Sequence, residues 1–179
     1  MRVIIINGHI IKPGANLKNA NLSRGNLKNL NMTGVNLTGA NLSNTNLTGT
    51  NLTNAILTGV KSGKIIGIPS RLPKNWKLVK GYLIGPGANL IKATIKSANL
   101  SKFNMTGANL SYAVLIGTNL SGANLTKANM TGANITSVNI SKTIMAYSIL
   151  KGIISSKLIG VPSSLPGGWI LVKGKIIKK

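Results

Sequence analysis

A five-residue period runs through most of this chain, and it fits neither the 3.6-residue turn of an α-helix nor the two-residue alternation of a plain strand. From Ala15 to Gly59 the chain divides into nine quintets, and from Ala88 to Gly152 into thirteen. Let the positions be numbered 1 to 5, as in Ala40-Asn41-Leu42-Ser43-Asn44. Position 3 is then Leu, Ile or Met in all 22 units, and position 1 is Ala, Gly, Ser or Thr in 18. Alternate positions of a short strand share a face, so 1 and 3 make an apolar side and 2 and 4 a polar one. Position 5 is Gly or Asn in 13 units, the residues that accept the positive φ of a tight corner. Strand plus corner, repeated, predicts an all-β solenoid with a core of stacked position 3 side chains. Leu42, Leu47, Leu120 and Leu125 are expected to point inward, with Met32, Met105, Met130 and Met145 filling gaps in the same column.

Two longer recurrences set the number of sides. Gly8–Leu17 returns as Gly81–Leu90, and Ile68–Pro73 with Trp76 returns as Val161–Pro166 with Trp169. The resulting blocks, 8–80 and 81–173, hold 73 and 93 residues and differ by 20, which is four quintets. Four sides are therefore expected, since a triangular section favours a step of three quintets. The equivalent spacers at 60–87 and 153–173 also read as quintets. Gly63–Gly67, Trp76–Lys80, Gly81–Gly85, Ser156–Gly160 and Trp169–Lys173 each put Leu or Ile at position 3. Adding Val3–Asn7 and Gly174–Lys178 gives about 7.5 coils in one continuous domain over 1–179. No helical cap pattern stands at either end, so open coil ends are expected, and such strand edges invite stacking.

Ala15-Asn16-Leu17, Gly107-Ala108-Asn109-Leu110 and Gly122-Ala123-Asn124-Leu125 resemble the A-(D/N)-L-x-x unit of the pentapeptide-repeat proteins. The segments Pro69–Pro73, Trp76–Val79 and Gly81–Gly87 are similar to spacers of some bacterial members. The resemblance implies a right-handed quadrilateral β-helix. Acidic members of that family look like a DNA duplex to gyrase. This chain departs from them in charge, so that function is not implied.

The departure is large. The sequence has 22 Lys plus Arg, no Asp, no Glu, one His (His9), no Cys, and formal net charge +22. Without carboxylates there is no acid–base pair and no acidic nucleophile, and one His alone supplies almost no metal ligands. No enzyme activity, cofactor, metal or small-molecule substrate is expected. No Lys or Arg stands at position 1 or 3, in keeping with the cost of burying an unpaired charge. Numbered by side, Lys28, Lys77, Lys80, Lys102, Lys142 and Lys173 fall together, with Arg71 and Lys74 on a loop beside them. Lys173, Lys175, Lys178 and Lys179 form a basic tail. These are the candidate contacts for a polyanion, while solvating charge on every side is the competing reading. Trp76 and Trp169 are expected to pack the Leu-Pro loops onto an edge, with a ring exposed for binding as the alternative, and the position 2 amides to stack as ladders.

The reading that follows is a non-enzymatic structural solenoid, part of a filament, virion or surface layer, assembled through coil stacking and a basic surface. Its alternative is a rod that binds nucleic acid, anionic lipid or acidic glycan. The expected partners are a further copy end to end and an acidic polymer or acidic protein. The run Val3–Ile6 is too short for a signal segment, and no stretch approaches the roughly 18 apolar residues of a membrane span. The missing cysteines rule out a disulfide framework and leave the compartment open.

Overall fold

A computed structural model describes residues 4–179; Met1, Arg2 and Val3, and so the start of the expected Val3–Asn7 quintet, lie outside the described residues. The chain divides into two compact units, Met1–Ile84 and Gly85–Lys179. Among the described residues there is no helix; the strands are β1 (Ile4–Ile6), β2 (His9–Ile11), β3 (Lys77–Val79), β4 (Tyr82–Ile84), β5 (Trp169–Val172) and β6 (Lys175–Lys178).

Between the strands of the first unit, each position 2 residue from Asn16 to Asn51 pairs in parallel with the residue 20 further on. Four columns result: Asn16, Asn36, Ile56; Asn21, Asn41, Lys61; Asn26, Asn46, Ile66; and Asn31, Asn51, Arg71. One circuit of the chain is thus four quintets, and the section is four-sided. The ladder is regular. Leu17 N–H donates to the Asn36 carbonyl at 2.8 Å, and Asn36 N–H donates to the Ala15 carbonyl at 3.0 Å. Each corner closes through a turn, as where Ala20 N–H donates to the Leu17 carbonyl at 3.0 Å. Inside, Leu22, Leu27, Met32, Leu37, Leu42 and Leu47 are fully buried. Thr45 and Thr50 at position 1 are buried too, and their hydroxyls donate to the Leu22 and Leu27 carbonyls at 3.1 and 2.8 Å.

The second unit repeats the scheme. Its columns begin at Asn89, Thr94, Asn99 and Asn104 and run by steps of 20 to Ile149, Ile154, Ile159 and Ser164. Met105, Leu120, Leu125, Met130 and Met145 are fully buried.

The spacers correct the sequence reading in two ways. First, the circuit of 20 continues into them without an insertion: Lys61, Ile66 and Arg71 pair with Asn41, Asn46 and Asn51. Ile65 therefore takes position 1 rather than 3, Ile66 faces out, and Gly67 falls where an inward Leu would stand. Ser156–Gly160 shifts likewise, because Ile159 pairs with Asn139. Second, Trp76–Lys80, Gly81–Gly85, Trp169–Lys173 and Gly174–Lys178 are not sides of the coil. β3 pairs antiparallel with β4, and β5 with β6, as β1 does with β2. All three hairpins turn on two residues at positive φ, Asn7-Gly8, Lys80-Gly81 and Lys173-Gly174, the primed geometry that matches strand twist.

These hairpins close coil ends that were expected to be open. Asn7 Nδ2 donates to the carbonyls of Asn21 and Ser23 in the first circuit. At the other end of that unit, Ile65 N–H donates to the Gly81 carbonyl at 3.1 Å and Leu83 N–H to Ser62 Oγ at 2.9 Å. Ile11 and Leu83 join the core of the first unit, with Ile4, Ile6, Trp76 and Leu78 packed against it. In the second unit the same devices recur 93 residues later: Leu158 N–H donates to the Gly174 carbonyl, and Ile176 N–H to Ser155 Oγ, both at 3.0 Å.

Candidate functional site: the cationic outer surface

Outward chemistry begins with the position 2 asparagines. Their Oδ1 accepts the backbone N–H two residues on, and often the hydroxyl there as well. For Asn51 these bonds to Thr53 are 3.0 and 2.6 Å, and for Asn129 those to Thr131 are 3.0 and 2.7 Å. The expected ladder of stacked amides is thus secondary to an Asx turn within each quintet. A bond of the ladder kind does join Asn119 Nδ2 to Asn99 Oδ1, at a longer 3.4 Å.

The walls so made carry few charges, at Lys18, Lys28, Lys61, Arg71, Lys96 and Lys151, and many other cations stand at their corners. Arg24, Lys64, Lys92, Lys102, Lys127, Lys142 and Lys157 occupy position 5 with φ between 51° and 60°. No described Lys or Arg is buried, and the sequence has no carboxylate side chain to neutralise one.

The predicted contacts all lie on the surface. In the first unit, Lys28 stands at position 4 on the third side, whereas Arg71 belongs to the column of Asn31 and Asn51 on the fourth. Lys74 follows in the loop, Lys77 opens β3, and Lys80 sits in the hairpin turn. In the second unit, Lys102 and Lys142 share one corner column with Gly122 between them, placing them about 10 Å apart at two strand spacings. Lys173 occupies the β5–β6 turn, Lys175 and Lys178 lie in β6, and Lys179 N–H is tied to the Gly168 carbonyl at 2.8 Å. The fold therefore gathers Lys102 with Lys142, and the four basic residues of the last hairpin with one another.

Two features escaped the sequence reading. Position 2 changes from Asn to Ile around the last circuit of the second unit, so Ile144, Ile149, Ile154 and Ile159 form an outward collar 38 to 58% exposed. A groove of about 530 Å³ lies beside it, its lining including Ile149, Leu150, Lys151, Pro166, Trp169 and Lys178. Among the described residues no helix is long and apolar enough to cross a membrane.

The family model described as pentapeptide repeats matches in 8 copies over residues 13–39, 31–61 and 104–141. Similar solved structures include HetL, a pentapeptide repeat protein involved in heterocyst differentiation regulation from the cyanobacterium Nostoc. It is 27% identical over 85% of this chain and 75% of its own, with a TM-score of 0.36. The pentapeptide repeat protein Rfr23 from the cyanobacterium Cyanothece is 26% identical, over 83% of this chain and 89% of its own, with a TM-score of 0.27. QnrB1, a plasmid-mediated fluoroquinolone resistance protein, is 18% identical over 81% of this chain and 73% of its own, with a TM-score of 0.32. No curated protein matches the chain. Over residues 13–61 and 104–141 the family model coincides with the five-residue period and the circuit of 20, and the chain carries the repeats of the pentapeptide-repeat family.

Proposed function

We propose that the chain is a non-enzymatic scaffold, a right-handed four-sided β-helix whose outer surface engages an acidic polymer. The observation that carries this reading is the complete charge imbalance: 22 cations and no acidic side chain, with no described Lys or Arg buried. A polyanion replaces the counterions such a surface would otherwise gather, and their release drives binding. Lys102, Lys142 and the last hairpin are the densest contacts; Lys28, Arg71, Lys74, Lys77 and Lys80 supply further ones on the first unit.

The test is a titration with polyphosphate, single-stranded DNA and duplex DNA across salt. Four phosphate contacts predict an affinity loss of about 100-fold between ~50 and ~200 mM salt. Absence of binding to all three at about 20 mM salt would overturn the reading. A second reading, assembly into a larger structure, is favoured by the isoleucine collar rather than by bare coil ends, because the hairpins occupy those ends.

A further inference from the structure

We propose that the groove beside Trp169 is a binding site for single-stranded nucleic acid. One base stacks on the indole, and the flanking phosphates meet Lys151 and Lys178. The inference rests on the reading of an acidic partner and narrows it to one chemistry at one place.

The ring and the two cations come from separate elements and converge. Trp169 opens β5 and pairs directly with Lys178 of β6, which sets their Cβ atoms about 5 Å apart. The bond from Lys179 N–H to the Gly168 carbonyl holds that strand end in place. Lys151 approaches from the coil wall, and its carbonyl accepts Gly132 N–H at 2.9 Å. Trp169 is half-buried and lines the groove. The groove is open to solvent, with a volume of about 530 Å³.

A second ring stands on the same wall. Tyr112 is 58% exposed, and it leans over Gly132 so closely that a Cβ there would meet its Cδ1 at 2.6 Å. Since Gly132 is bonded to Lys151, a glycine strip leads from Tyr112 to the groove. Spaced aromatic faces bordered by cations are how proteins hold single strands without reading sequence.

The first unit supplies an internal comparison 93 residues earlier. It keeps the apolar frame, with Ile56, Leu57, Pro73 and Trp76 in place of Ile149, Leu150, Pro166 and Trp169. It has Thr58 where the second unit has Lys151 and Asn19 for Tyr112, and the position equivalent to Lys178 falls on Gly85, just past its last residue. The frame common to both units serves the fold. Lys151, Lys178 and the second ring are additions of the second unit, whereas the first carries its own cation, Lys74, where the second has the lining Gly167.

The experiment compares oligothymidylate with polyphosphate and a sulfated glycan at low salt. In a Trp76→Leu background, Trp169 is the sole indole, and oligothymidylate is expected to quench its emission while polyphosphate does not. Trp169→Leu should weaken oligothymidylate about tenfold, within the range for one lost base stack, and leave polyphosphate unchanged. Lys151→Thr, which installs the residue of the first unit, should weaken oligothymidylate several-fold and reduce the salt slope by about one. The inference is overturned if both variants bind oligothymidylate within about twofold of the parent, or if the glycan or polyphosphate quenches equally. With polyphosphate still bound, either result leaves the broader polyanion reading standing; if no polyanion binds, both readings fall together.

Discussion

Each outward asparagine works as a carbonyl acceptor that fastens the start of a corner, and the corner then places a residue at positive φ. The chemistry needed is an oxygen at that point, whether amide or carboxylate. Asn129→Ala removes the acceptor for both Thr131 N–H and Thr131 Oγ and is expected to cost about 1–2 kcal/mol. Asn129→Asp keeps both bonds and relieves some positive charge, so its denaturation midpoint should match or exceed that of the parent; a loss equal to that of Ala would refute the Asx role. At this scale the sequence is largely legible. Leu42, Leu47, Leu120 and Leu125 lie inside because alternation along a strand leaves them nowhere else to point. The Asx turn was also readable in the Asn-x-Ser/Thr spacing, since two residues is the reach of an Asn side chain along its own backbone. The cations at position 5 were not so readable. Lys and Arg are poor left-handed residues, at roughly 1–2 kcal/mol each, and the stacked circuits around them hold the conformation.

Among the elements, the hairpins decide how the coils end. Ser62 and Ser155 stand at inward position 3 in the last circuit of each unit, where every full quintet has Leu, Ile or Met, and they bond the backbone of Leu83 and Ile176. Ser62→Ala leaves the buried Leu83 N–H without its acceptor, which should cost about 1–3 kcal/mol. Hydrogen exchange at Leu83 is expected to accelerate far more than at Leu42, and equal protection in variant and parent would contradict the docking role. The hairpins hid from the sequence reading for a geometric reason. Leu78 pairs with Leu83, Ile5 with Ile10 and Leu171 with Ile176. A pair centred on a two-residue turn, one residue removed on each arm, is five apart. That separation is the repeat's own, so hairpin partners imitate successive position 3 residues. Asn7-Gly8 carried the opposing signal as a strong primed-turn dipeptide, whereas Lys80-Gly81 and Lys173-Gly174 are weaker versions of it.

For the molecule as a whole, charge and the collar act against each other. A net +22 disfavours contact between copies until salt shortens the range of repulsion from about 10 Å at 0.1 M to about 3 Å at 1 M. If Ile144, Ile149, Ile154 and Ile159 support assembly, sedimentation should show oligomers at about 1 M salt that separate at low salt, and Ile154→Lys should abolish them. A strict monomer at both ionic strengths removes that reading. The groove could not be read before the last hairpin was known, because residues 148–152, 166, 167, 169 and 178 meet only when it is in place. The charge itself was plain from composition. The circuit of 20 has a further consequence for how such a chain can lengthen or shorten. Loss of a single quintet carries every later residue round by a quarter turn and hands each wall's chemistry to its neighbour. Loss or gain of four leaves every wall facing as before, so duplication in twenties is the natural unit of growth, and the two blocks differ in length by that one increment.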